Sequence, residues 1–266
     1  MEKKLTVSLI ITTYNYVDAL RLCLLSVKYQ TYMPDEVIIA DDGSRKETRD
    51  MVEKMRPTLP YPIQYVWQED KGFRRAAILN RAFAVSKGDY LIQIDGDLIL
   101  DRHFVEDHAR HACRGYHCNG SRTKITKAAT DQFLKMPWVY VRPWTKGVKR
   151  KANALRMPFL APLFYREDHC RGCNMAFWRE DILRVNGYDE GYVRYGKEDT
   201  DLNARLDRAG VRCRHLKFCA IQYHLYHPEH ETFHDMSFVR SLFAKNNKRG
   251  IVRVEKGISQ YREQCI

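Results

Sequence analysis

The spacing of hydrophobic positions changes period repeatedly through the first hundred residues. Val7 to Thr12 is a continuous apolar, β-branched run, as expected of a strand buried on both faces. Asp18 to Gln30 carries Leu20, Cys23, Leu24 and Val27 at helical spacing. Glu36 to Ala40 reads as a second strand, and Lys46 to Met55 as a helix stopped by Pro57. Ile63 to Trp67 is a third strand, Arg75 to Ser86 a helix stopped at Lys87-Gly88, and Tyr90 to Ile94 a fourth strand. Strands alternating with helices predict an α/β fold, a single doubly wound, mainly parallel sheet flanked by helices. Right-handed crossovers then gather the carboxyl ends of the strands on one edge, where such sheets hold ligands.

Beyond residue 100 the pattern is less regular. Residues 101–120 predict a helix followed by a Cys- and His-rich strand. Residues 121–168 are basic, aromatic and proline-bearing, and read as an insertion or helical subdomain beside the site. Gly172 to Trp178 is strand-like, Arg179 to Leu183 a short helix, and a further helix opens near Glu198. Ala220 to Tyr223 predicts a late strand leading into His224-Leu225-Tyr226-His227. The reading divides the chain into a domain over 1–235 and a basic segment over 236–266. Within the domain, 1–100 and 101–235 form two halves, the second containing the insertion.

Composition narrows the classes. Of 266 residues, 44% are hydrophobic, enough for a substantial core. No apolar run approaches the roughly 20 residues of a membrane span. The short β-branched start is a poor signal peptide, so the expected location is cytoplasmic. Net charge of +12 suits phosphorylated substrates, anionic lipid or nucleic acid, without choosing among them. No recognised nucleic-acid motif is present, so nucleic acid is not an expected partner. Arg142, Lys146, Lys149, Arg150 and Lys151 cluster within ten residues, compatible with peripheral contact at the inner face of a membrane. Eight cysteines without a secretory signal are expected to be reduced and buried. The spacings Cys113-x4-Cys118 and Cys170-x2-Cys173 leave a four-thiolate zinc site open.

Polar clusters stand at the ends of three predicted strands: Thr12-Thr13-Tyr14-Asn15, Asp41-Asp42-Gly43-Ser44 and Asp95-Gly96-Asp97. The last places two hard carboxylates around one glycine, which suits Mg2+ or Mn2+. Such a cation usually neutralises phosphates, pointing to a phosphorylated substrate.

These clusters, followed in order by Gly172-Cys173-Asn174-Met175 and by Tyr195-Gly196-Lys197-Glu198-Asp199, resemble the family 2 glycosyltransferases of the GT-A fold. The second half is most similar to the β1,4-galactosyltransferase and chondroitin-polymerase-like branch. The resemblance implies an inverting, metal-dependent transfer of a hexose or N-acetylhexosamine from a UDP-sugar to a glycan or lipid-linked saccharide. It also implies that 1–100 is a nucleotide-binding half and 101–235 an acceptor-binding half, with bacterial surface polysaccharide or lipopolysaccharide synthesis as the expected setting. Thr12, Tyr14, Asn15, Asp42, Arg75, Asp95 and Gly96 are the implied donor-binding set, with Asp42 accepting from the uracil ring NH. Asp97 and Asp95 correspond to the metal motif, with His224 and His227 as the downstream ligand pair and His230 as a weaker candidate. Imidazole ligands favour Mn2+ over Mg2+. Asp199 corresponds to the catalytic base, while Glu198, Tyr195, Asn174 and Gly172 face the sugars. Tyr195 stands where the family usually has tryptophan.

Two other classes remain open at this level. A nucleotidyltransferase acting on sugar phosphates also combines this fold with a metal, but usually has a Gly-rich, basic loop after the first strand. Thr13-Tyr14-Asn15-Tyr16 lacks that character. A non-catalytic nucleotide- or nucleic-acid-binding protein would share the basic charge.

Overall fold

The computed structural model describes residues 4–165, 172–228 and 236–262. In chain order the first elements are β1 (Val7–Thr13), α1 (Val17–Val27), β2 (Glu36–Asp41), α2 (Lys46–Met55), β3 (Ile63–Trp67), α3 (Arg75–Val85) and β4 (Tyr90–Asp95). Every residue of β1 and β2 is buried, as their unbroken apolar runs require. Strands β3, β2, β1 and β4 lie side by side and parallel. The register sets Thr12 opposite Asp95 and Thr13 opposite Asp41, so the three polar strand ends meet at one edge.

The second half extends this sheet and adds another. Its elements are β5 (Leu98–Leu100), α4 (Phe104–Arg110), β6 (Tyr116–Asn119), β7 (Arg122–Ile125), α5 (Lys127–Phe133), β8 (Val148–Lys149), β9 (Asn174–Trp178) and α6 (Arg179–Arg184). They continue with α7 (Glu198–Arg208), β10 (Arg212–His215), β11 (Gln222–His224), α8 (Ser237–Lys248) and α9 (Ser259–Arg262). Strand β9 runs antiparallel between β4 and β6, and β10 closes the edge, giving the order β10-β6-β9-β4-β1-β2-β3.

A four-stranded sheet, β5-β11-β7-β8, stands beside the central one. The sequence predicted one sheet and an insertion read partly as helical, so this second sheet is a correction to both. Its strands are two to four residues long, too short to display a period, and their partners are remote: Leu100 faces Gln222. The two sheets serve different parts of the core. The central sheet packs its faces against Leu20, Leu24, Val52 and Phe104, and against Ile78, Phe83, Ile182 and Leu206. The small sheet encloses a separate cluster containing Ile99, Ile125, Val139, Val148, Ile221 and Tyr223.

Helix α7 carries Glu198 and Asp199 at its start, and its anchoring is polar. Arg205 is fully buried and donates to Asp201 Oδ2 at 2.6 Å and to the Val185 carbonyl at 3.1 Å. Asp201 also accepts from Tyr192 Oη and from Asn246 Nδ2 on α8. The C-terminal segment thus packs onto the helix that bears the site, while α9 packs against α3. Removing one partner of a buried ion pair leaves the other charge uncompensated, at about 3–5 kcal/mol. Asp201→Ala is therefore expected to lose about that much stability, read from the urea midpoint at unchanged slope. A loss below about 1 kcal/mol would show that the pair does not anchor α7.

Candidate active site

The loops that follow β1 and β2 are tied together by backbone donors. Asn15, at φ 47°, donates its N–H to Ser44 Oγ at 2.8 Å and accepts the Arg45 N–H at Oδ1 at 3.0 Å. Asp41 is fully buried, accepting from the Ser44 N–H at 2.7 Å and from Tyr65 Oη. Gly43, at φ +98°, lies against Asp70, whose backbone N would stand 2.7 Å from an added Cβ; only glycine fits this turn. Asp70 in turn accepts from Tyr14 Oη at 2.9 Å, leaving the Tyr14 ring half exposed over the loop. Asp42 accepts from Gln68 Nε2 at 2.6 Å and the Arg74 N–H at 3.0 Å. Burial pushes its carboxyl up, and those two donors oppose the rise. A carboxylate has about four acceptor positions, so Asp42 retains capacity for a further donor.

Deeper in, Arg75 joins three chain segments. Its Nη2 contacts Asp95 Oδ1 at 2.5 Å and the Gly172 carbonyl at 3.2 Å. Thr12 Oγ1 donates to the same Asp95 oxygen at 3.0 Å. Burial works against ionisation of Asp95, yet Arg75 and Thr12 outweigh it and hold the carboxyl below its ordinary range. Arg75 Nη1 is buried without a hydrogen-bond partner among the described residues, a donor available to an incoming anion. Gly96 donates its N–H to the Thr12 carbonyl at 2.7 Å, and an added Cβ there would approach that oxygen to 2.9 Å. Thr12 thus serves chiefly to orient Asp95. Its hydroxyl is engaged there and also lies 3.3 Å from the Ile94 carbonyl.

Asp97 faces the other way, toward the small sheet. His224 Nε2 and His227 Nε2 stand 3.5 and 3.2 Å from Asp97 Oδ2. One ligand atom from each of the three residues lies within 4.8 Å of the others. His224 Nδ1 contacts the Leu225 carbonyl at 2.7 Å and His227 Nδ1 the Pro228 carbonyl at 2.9 Å. A carbonyl only accepts, so each Nδ1 carries hydrogen and each Nε2 presents a lone pair when neutral. Lone pairs facing a carboxylate require a cation or a proton between them. Without a metal, the hydrogen bond to Asp97 raises His227 to about 8. Burial lowers His224 despite Asp97. Asp97 Oδ1 is buried and unpartnered among the described residues. One carboxylate, two imidazoles and an orphaned carboxylate oxygen fit a divalent cation such as Mn2+. Asp95 stands outside this group, with Arg75 and Thr12 both on its Oδ1. His230 lies outside the described residues.

The start of α7 closes the third side. Gly196 and Lys197 both adopt positive φ, 106° and 70°, turning the chain into the helix. Asp199 accepts from the Gly172 N–H at Oδ2 and from the Thr200 N–H at Oδ1, both at 2.8 Å. An added Cβ on Gly172 would lie 3.0 Å from Arg75 Nη1 and 3.3 Å from Asp199 Oδ2, so glycine lets these groups share the space. Glu198 is buried and accepts from the Gly196 N–H at 2.9 Å. Burial first, then the Asp199 charge, raises its carboxyl to about 7. Tyr195 packs edge-on against Phe73 and remains half exposed beside these carboxylates.

Asn174 requires correction. It is buried in β9, where its Nδ2 donates to the Ser121 and Ala220 carbonyls and its Oδ1 contacts His108 Nε2 at 2.8 Å. With both polar atoms engaged, it clamps the two sheets together instead of holding a sugar. Burial lowers His108 to about 4, keeping it neutral for that contact. Among the described residues Cys113, Cys118 and Cys173 form no metal-holding group, and Cys170 lies outside them. Cys173 instead receives a hydrogen bond from Gln222 Nε2. Gln93, which donates to the Gly172 carbonyl at 2.7 Å, and Arg122, whose charge acts on both histidines, were missed. A polar residue inside the apolar run 91–94 was the available signal for Gln93.

A family model described as Glycosyl transferase family 2 matches residues 8–182, and one described as N-terminal domain of galactosyltransferase matches residues 161–230. Validoxylamine A glucosyltransferase of Streptomyces hygroscopicus subsp. limoneus is 27% identical over 230 residues, 77% of this chain and 48% of that protein. Chondroitin synthase of Pasteurella multocida (strain Pm70) is 27% identical over 233 residues, 79% of this chain and 24% of that protein. The chain thus spans about half or less of the length of these curated relatives. The solved structure of a mannosyltransferase from Pyrobaculum calidifontis, in complex with GDP-Man and Mn2+, superposes with a TM-score of 0.59 at 20% identity. That match covers 84% of this chain and 57% of the other, a likeness of fold.

Two measurements test this geometry. Mn2+ affinity, followed by the paramagnetic resonance of free Mn2+, is expected to fall at least about tenfold on Asp97→Asn and in the His224→Ala/His227→Ala double variant. Unchanged affinity in the double variant would remove the histidines from the site. Glu198 protonation contributes stability that is complete below about pH 4.5 and lost as pH rises through about 7. Glu198→Gln should flatten the fall in melting temperature between pH 5.5 and 8.5, and parallel curves for the two proteins would refute the shifted carboxyl.

Proposed function

The chain belongs to glycosyltransferase family 2, and we propose that it is an inverting, metal-dependent transferase moving a hexose or N-acetylhexosamine from a UDP-sugar to a glycan acceptor. The GT-A fold and the family establish the reaction class, and membership sets aside the nucleotidyl-transfer alternative. The donor nucleotide, the stereochemistry and the residue roles are the proposal. The observation that carries it is the separation of two acidic centres. Asp97 joins His224 and His227 on one side, and Asp199 stands beyond Arg75 and Gly172 on the other.

In this reading Asp42 accepts the uracil ring N–H, while the Tyr14 ring and the Asn15–Ser44 tie shape the pocket around the base. The free Nη1 of Arg75 points its charge at the diphosphate. Asp97, His224 and His227 would hold Mn2+ or Mg2+, which supplies positive charge to the leaving nucleoside diphosphate. Asp199 accepts the proton of the acceptor hydroxyl as that oxygen bonds to the anomeric carbon. The bond from that carbon to the diphosphate oxygen breaks on the opposite face, so a UDP-α-sugar gives a β-linkage. Glu198 holds sugar hydroxyls, and Tyr195 offers the face on which the acceptor ring stacks. The similarity to chondroitin synthase supports polysaccharide or surface-glycan synthesis as the setting.

Binding of a ligand to the folded state stabilises it by about 2.7 kcal/mol at a hundredfold excess over Kd. UDP with Mn2+ should therefore raise the melting temperature by several degrees, and GDP by less. Asp199→Asn should keep that shift while nucleoside diphosphate release from the active nucleotide sugar falls about 10²–10⁴-fold. No thermal shift with UDP and any divalent ion would overturn the donor assignment, and retained release in Asp199→Asn would overturn the base.

A further inference from the structure

Residues 132–165 contain seven Lys and Arg and no Asp or Glu. Arg156 is paired with Asp107 at 2.5 Å. Among the described residues, none of Lys135, Arg142, Lys146, Lys149, Arg150 and Lys151 has an ion-pair partner, and only Arg142 has a ring partner. The same stretch holds half of the large hydrophobic side chains left exposed among the described residues. Trp138, Tyr140 and Trp144 are 55%, 49% and 66% exposed, and Phe159 and Leu163 are each 76% exposed; Leu155 and Phe164 complete the group. Scattered apolar side chains on a surface are ordinary, but so many in one short basic stretch mark an interaction face.

The stretch is ordered on a buried base. Val139 and Val141 are buried in the core of the small sheet, so Trp138, Tyr140 and Arg142 alternate outward between them. The Arg142 guanidinium lies 4.9 Å from the Tyr140 ring centre and 5.6 Å from that of Trp144. Residues Pro158–Phe164 form a 3-10 segment that buries Ala161 and turns Phe159 and Leu163 out. Lys217 stands 4.8 Å from the Phe164 ring and 5.0 Å from the Phe218 ring. Rings and aliphatic side chains accompanied by cations are what a bilayer boundary accepts. The apolar groups enter the acyl margin, and the cations meet the phosphates. A soluble polyanion would engage the cations and leave Phe159, Leu163 and Leu155 in water.

We propose that residues 138–164 dock this protein on an anionic lipid bilayer, with Trp138, Trp144, Phe159 and Leu163 inserted at the interface and Lys146, Lys149 and Lys151 against the headgroups. The inference is independent of the donor and of the reaction, since no residue assigned a role in transfer belongs to the face. It also orients the site, because β11, which ends at His224, shares its buried cluster with Val139 and Val141.

Co-sedimentation with vesicles of phosphatidylcholine and phosphatidylglycerol, against phosphatidylcholine alone, tests the proposal. The full chain should bind the anionic vesicles at least about tenfold more tightly. Lys146→Gln/Lys149→Gln/Lys151→Gln should lose about a hundredfold at low salt, from about fivefold per charge. Trp144→Ser/Phe159→Ser/Leu163→Ser should lose at least about tenfold, with melting temperature unchanged because all three side chains are exposed. Tryptophan fluorescence should be quenched by brominated lipid. No binding to anionic vesicles overturns the proposal. So does vesicle binding unaffected by the apolar substitutions, with equal retention of dextran sulfate by both proteins, which would assign the face to a soluble polyanion.

Discussion

The contact between Arg75 and Asp95 is the constraint around which the site is assembled. It ties the start of α3 to the end of β4, and through the Gly172 carbonyl to the loop preceding β9. Gly172 then donates its N–H to Asp199, so β1, β4, α3 and α7 meet through one guanidinium and one glycine residue. A charge held at low exposure is costly unless paired, and here the pair is completed by Thr12 on the carboxylate side. The arrangement leaves one guanidinium nitrogen without a partner, and that vacancy in the hydrogen-bonding pattern points to an anionic ligand.

The two carboxylates flanking Gly96 therefore do different work. Asp95 is held ionised by protein groups and belongs to the central sheet's edge. Asp97 turns to the second sheet, where the two histidines approach it from β11 and the turn beyond. Glycine between them permits the sharp separation, since a side chain there would collide with the Thr12 carbonyl. Two sheets with distinct cores thus supply the two halves of one site, and Asn174 with His108 helps hold the sheets in register.

Much of this was legible in the chain. The four parallel strands and their helices follow from apolar runs and helical spacing, and the observed boundaries lie within a few residues of those expected. The polar strand ends, the Asp95-Gly96-Asp97 motif and the acidic start of α7 were readable because each combines local pattern with an ordered set of motifs. The short strands β5, β7, β8 and β10 were not, since two to four residues carry no period and their partners lie far along the chain. Asn174 was misassigned because a polar residue beside a glycine motif looks the same whether it faces a ligand or two buried carbonyls.

The sequence by itself determined the layered α/β architecture, the family and the inventory of candidate groups, because periodicity and motif order are written locally. Tertiary structure alone decided which groups meet. Asp97 reaches His224 and His227 across more than a hundred residues only because β11 pairs with β5. Asp95 lies outside that group and is instead engaged at Oδ1 by Arg75, twenty residues earlier. Whether a carboxylate can take a metal, a proton or a substrate depends on its neighbours and its burial, and those are properties of packing rather than of order along the chain.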